Sequence, residues 1–139
     1  MRGLALTVAA LGACKSAPAP ASAPRALAAL PHVRVDLGPA SSCTVATSCE
    51  ARVVVTALAG YKVNGEYPHK FVGEASPELS IEGTGTFTVD GATRGTLTIR
   101  FRPARSGTLT MAGTLKLSVC TEDECKIEAP RLAFDVAAL

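Results

Sequence analysis

The sequence contains no tryptophan, and only 4% of its 139 residues are aromatic. Phe71, Phe87, Phe101, Phe134, Tyr61 and Tyr67 supply all the aromatic bulk, so a core must rest on Val, Leu and Ile. A basic patch interleaved with aromatics is also missing. The densest cationic group is Arg100, Arg102 and Arg105, and Leu97, Ile99 and Phe101 take the alternate positions, as on the two faces of a strand. With a formal net charge of +2, this argues against nucleic-acid binding. There is no Gly-x-Ser-x-Gly elbow, no Gly-rich phosphate loop leading into a helix, and no pair of carboxylates in a recognisable cleft. The cysteine spacings lack the tight pairs of a zinc site, so neither metal nor cofactor is expected. His32 and His69 read as solvated residues in or beside loops. After the N-terminal region no ten-residue window has a helical period.

What is present begins at the N-terminus. Arg2 is followed by an apolar or small-residue run from Leu4 to Leu11, too short to span a bilayer as a helix but suited to a secretory signal. The run ends in Leu11-Gly12-Ala13-Cys14, which resembles the lipobox of bacterial lipoproteins. That resemblance implies acylation of Cys14 and cleavage just before it. The alternative is an ordinary signal peptide, cut later near the Ala-Pro run. Lys15 rather than Asp follows Cys14, so the inner-membrane retention signal is missing and the outer membrane is favoured. From Lys15 to Pro31, 11 of 17 residues are Ala or Pro. Repeated Pro prevents a helix there, and a semi-extended tether is expected. The resulting division is a signal peptide at 1–13, a lipid-bearing Cys and tether at 14–32, and a folded domain at 33–139.

From Val33 onward the pattern has period two. Val33, Val35 and Leu37 alternate with Arg34 and Asp36. Arg52 to Leu58 is almost entirely apolar or β-branched, as in a strand covered on both faces. Phe71–Gly73, Leu79–Glu82 and Thr86–Val89 are shorter candidates, with Gly83-Thr84-Gly85 read as a turn. Asp90-Gly91 gives a second turn. In Thr108–Cys120, Leu109, Met111, Leu115, Leu117 and Val119 share one parity, while Lys116 and Ser118 fall on the other. This predicts one long strand, kinked or bulged at Gly113. Leu132, Phe134 and Val136 mark a last strand. The expected fold is an all-β, immunoglobulin-like β-sandwich.

Five cysteines in an exported chain divide into one lipid-bearing residue and two pairs. Cys43 and Cys49 have five residues between them, and Cys120 and Cys125 have four. Three connectivities are open, of which local pairing is the simplest. Around Cys120-Thr121-Glu122-Asp123-Glu124-Cys125 the sequence resembles the N-terminal periplasmic domain of the DsbD family of thiol–disulfide reductases. A long strand ends in Ser118-Val119-Cys120, an acidic insert and Cys125 follow, and a closing strand comes after. Gly60-Tyr61-Lys62-Val63-Asn64 resembles a further segment of such domains. The likeness covers roughly residues 33 to 139. It implies an immunoglobulin-like sandwich whose pair, here Cys120 and Cys125, relays electrons to a thioredoxin-like or other envelope partner. Lys126-Ile127-Glu128 stands where the family often has Pro, and the electron source would be another protein.

Two functional classes follow. The preferred one is a non-catalytic envelope lipoprotein whose sandwich is an interaction or structural module, with Cys43–Cys49 a structural staple. The other is thiol–disulfide exchange through Cys120 and Cys125. Glu122, Asp123 and Glu124 disfavour a thiolate between them, which weighs toward the first.

Overall fold

The computed structural model describes Gly12 and residues 25–139; Cys14, expected from the sequence to carry lipid, lies outside the described residues. Among the described residues, ten strands form two sheets. The first contains β1 (Arg25–Ala29), β2 (Val33–Leu37), β3 (Cys49–Ala57), β7 (Arg94–Pro103) and β6 (Leu79–Val89), side by side in that order. The second is organised around β8 (Gly107–Cys120), flanked on one side by β9 (Cys125–Glu128) and β10 (Arg131–Ala138). On its other side lie β4 (Lys62–Val63) and β5 (Lys70–Gly73). In immunoglobulin terms β2-β3-β7-β6 follow the order A-B-E-D, and β9/β10-β8-β4/β5 the order G-F-C. The chain is an immunoglobulin-like β-sandwich, as its alternating pattern implies.

Period-two patterning places the core. Val33, Val35, Val53, Val55, Leu97 and Ile99 point inward from the first sheet and are fully buried. Leu109, Met111, Leu115, Leu117, Val119 and Leu132 meet them from the second. Two of the few aromatics, Phe71 and Phe134, pack within this layer with ring centroids 6.5 Å apart. β3 is buried on its inner face only. Its outer residues, Glu50, Arg52, Val54 and Thr56, are part-buried or exposed, so the apolar run does not mark a strand covered on both sides.

Three expectations change at the level of backbone. Strand structure reaches back at least to Arg25, ahead of the expected Val33, because Arg25–Ala29 pairs antiparallel with β2, with an irregularity between Ala26 and Ala28. Alanine tolerates an extended conformation, and Leu27 and Leu30 pack against the core. Gly83-Thr84-Gly85 is a bulge inside one long β6, not a turn between two strands. Glu82 faces Arg100 and Thr86 faces Thr98, so the extra residues loop out of the ladder. Gly83 and Gly85, at φ +70° and +87°, supply the left-handed geometry that the bulge needs.

Gly113 has a different purpose from the kink expected of it. The β8–β10 register runs unshifted from Gly107 to Thr114. A Cβ at 113 would lie 2.5 Å from Phe71 Cζ and 2.6 Å from the Val72 carbonyl oxygen. The glycine makes room for the Phe71 ring rather than bending the strand.

The candidate site at the disulfide end of the long hairpin

The β8 strand continues past its pairing with β10 into a hairpin with β9. Leu117 faces Glu128 and Thr114 faces Arg131, so β9 and β10 form one continuous partner in a single register, interrupted at Ala129-Pro130. At its tip Cys120 faces Cys125 and the two form a disulfide. Thr121 closes the loop: its amide donates to the Glu124 carbonyl at 2.7 Å, and its hydroxyl accepts from the amides of Asp123 and Glu124. Such local side-chain bonds are what Thr offers in a tight turn. Cys125 is exposed and Cys120 part-buried, so one edge of this bond faces solvent.

The second disulfide joins Cys43 to Cys49, giving local pairing throughout. It differs in setting, since both cysteines are buried. The Leu139 amide donates to the Cys43 carbonyl at 2.9 Å and the Val45 amide to the Leu139 carbonyl at 3.0 Å, fastening the chain end to this loop. Because β10 ends opposite the start of β8, the two disulfides lie at opposite ends of the sandwich.

A strap of side chains crosses the acidic hairpin. The turn before β4 holds Ala59 and Gly60 at positive φ, and directs the largely buried Tyr61 ring toward the loop. Tyr61 Oη donates to Glu124 Oε1. This bond, and then Lys126, hold the Glu124 carboxyl below the usual range, and the same bond with burial raises the Tyr61 phenol. Lys126 Nζ is 3.7 Å from Glu124. His32 is not a free surface side chain. It is half-buried, its ring lies 4.3 Å from that of Tyr61, and its Nδ1 is shielded with no hydrogen-bond partner among the described residues. Lys62 faces Cys120 across the ladder and shares its side of the sheet. The disulfide therefore has an anionic loop on one side and a cationic residue on the other.

His69 also departs from the surface reading. It is buried and stacks on Phe87 with centroids 3.9 Å apart. Six residues, 64–69, stand opposite only two of β8, 117 and 118, so the ladder opens there. The Ser118 amide donates to His69 Nε2 at 3.2 Å, and the Asn64 amide donates to the Ser118 carbonyl at 3.0 Å. Nδ1 lies 2.9 Å from the Tyr67 carbonyl, which fixes the neutral Nδ1–H tautomer. Burial pushes the His69 pKa below its ordinary value. Ser118, expected on the outer face, is 1% exposed because this loop covers it.

Of the three connectivities the sequence leaves open, the structure has the simplest, local one, while the Tyr61–Glu124 strap and the His69 plug had no sequence signal. Cys14 belongs to the undescribed segment. No protein-family model matches the chain, and no curated protein matches it. Among solved structures, the yeast GGA1 GAE domain superposes with a TM-score of 0.48 at 10% identity, over 81% of this chain and 99% of that one.

Proposed function

We propose that the protein is a cell-envelope lipoprotein, anchored through Cys14 and most consistent with the outer membrane. Its disulfide-stabilised sandwich acts as an interaction or structural module. The observation that carries the non-catalytic reading is Glu124, held as a carboxylate by Tyr61 within the loop that Cys120 and Cys125 close. Breaking the disulfide would create negative charge beside Glu122, Asp123 and Glu124, which raises the thiol pKa values and makes reduction harder. A closed loop this small also stabilises the fold by roughly 2 kcal/mol through the unfolded chain.

Thiol–disulfide exchange is the second reading, favoured by the exposure of Cys125, which gives a partner thiolate access to the bond. Equilibration with glutathione buffers of graded potential separates the two, in a chain with Cys43 and Cys49 replaced by Ser. A midpoint well below about −300 mV supports the structural staple. One near roughly −200 mV, with fast exchange with a thioredoxin-like protein, establishes the relay instead. Anchoring is tested separately: Cys14→Ser abolishes incorporation of labelled fatty acid, and unchanged labelling refutes it.

A further inference from the structure

The outer face of the first sheet carries a cationic hollow beside the start of β1. Arg34 faces Thr56 on β3, which faces Arg94 on β7, so these three form one row across the sheet. Arg25, at the start of β1, completes the rim of a hollow of about 570 Å³. Asp36 is the one acidic residue in its lining, and it is already bonded to Arg34 at 2.8 Å. Arg25 and Arg94 are exposed and enter no ion pair among the described residues. The preceding segment brings no counter-charge either, since no Asp or Glu occurs before Asp36, and Lys15 adds a further cation.

We infer that this Arg25–Arg34–Arg94 face is the membrane-proximal surface of the domain and docks on anionic phospholipid headgroups. The inference rests on the lipoprotein reading, because the position of the anchor is what brings this face to the bilayer. Eleven peptide steps separate Cys14 from Arg25, a reach of about 4 nm at full extension. Arg25, the first residue of β1 and a wall of the hollow itself, is the described position nearest the anchor in sequence within the sandwich, so an acylated Cys14 keeps this face within reach of the lipid. Fields from a charged leaflet decay within about 8 Å at physiological ionic strength, so three arginines act only if held close. Tethering supplies that through a high effective concentration, and a contact that holds a free domain only weakly becomes the populated state.

The test uses the mature chain from position 14 with Cys14→Ser, which carries no acyl group. Its sedimentation is compared with vesicles of phosphatidylcholine alone and of phosphatidylcholine with phosphatidylglycerol, at low and high salt. Selective, salt-sensitive binding to the anionic vesicles is expected. Arg25→Gln with Arg94→Gln weakens it about 25-fold, taking about fivefold for each arginine near the surface. Arg25→Lys with Arg94→Lys keeps most of the binding. Lys70→Gln with Lys116→Gln, which removes the same charge from the second sheet, leaves it within about twofold. Equal binding to both vesicles, or equal loss in the two double Gln variants, overturns the docking face. Displacement by soluble glycerophosphate at matched phosphate concentration also overturns it, in favour of a small-molecule site. A missing fatty-acid label would defeat the anchor without altering any of these readings, so the two failures are distinguishable.

Discussion

The backbone amide of Ser118 finds its acceptor on an imidazole, Nε2 of His69, 3.2 Å away, rather than on a neighbouring strand. Where the 64–69 loop lifts off β8, an amide of the ladder would otherwise be buried without a partner. The histidine side chain takes the place of the missing carbonyl, and Phe87 holds the ring there by stacking.

Removing that acceptor strands the amide. His69→Ala is expected to destabilise the domain by about 1–3 kcal/mol, the cost of an unsatisfied buried donor. His69→Gln, which can present a carbonyl oxygen, recovers part of it. Denaturant unfolding of the three proteins provides the comparison, and equal stability would exclude the plug.

The same residue sets a pH dependence. Burial holds the folded pKa below 6.5, so in the window beneath 6.5 the unfolded chain binds a proton that the folded chain refuses. The contribution is complete above about pH 6.5 and declines as pH falls through the folded value. Melting temperature should therefore drop on mild acidification in the parent, and His69→Gln should flatten the curve in that window.

Strand β8 offers a test of the two-faced pattern. Leu117→Ala should cost about 2–5 kcal/mol, as a fully buried leucine in a packed layer. Lys116→Ala, on the opposite parity and part-exposed, should stay within about 0.5 kcal/mol of neutral. Comparable losses at both positions would contradict the sheet's orientation.

Gly113→Ala probes close packing rather than backbone freedom. The added methyl meets the Phe71 ring and the Val72 carbonyl, and the carbonyl belongs to a paired strand that cannot swing aside. A loss of about 1–3 kcal/mol is expected from overpacking. Combining it with Phe71→Leu should give less than the sum of the two single losses, because the truncated ring relieves the clash.

Tyr61→Phe removes the bond that chiefly lowers the Glu124 carboxyl. Its pKa should move up toward the ordinary glutamate range, as read by carbon NMR across the acid titration. A depressed carboxylate stabilises above its unfolded pKa and loses that effect as pH falls, so the variant should also show a shallower loss of stability in acid. An unmoved Glu124 would mean the strap does not form in solution.

Much of the fold was legible because apolar side chains of one parity at Val33–Leu37, Leu97–Phe101 and Leu109–Val119 can be buried together only in strands. The cysteine spacing likewise made local loops the simplest pairing. Arg25–Ala29 was not legible: alanine has little strand preference, and its pairing depends on an edge that β2 presents only after folding. Ser118 and His69 escaped for a related reason. Parity assigns a side of the sheet but does not say whether a loop from elsewhere lies over it. The Tyr61–Glu124 bond joins positions 63 residues apart, which no spacing rule reaches.

The unbroken register of β8 with β9 and β10 bears on how the chain finds its fold. A covalent link between Cys120 and Cys125 joins the first facing pair of that hairpin, and every later pair down to Gly107 and Ala138 follows in the same alignment. An oxidised nascent chain thus begins its search with the alignment of its longest strand already chosen, and each further pair closes only a small additional loop. Slipped hairpins, which would turn the core residues of β8 outward, are excluded before any collapse. The hairpin tip then acts as a zipper's starting box, and the order in which oxidation and folding occur decides whether the chain starts from it.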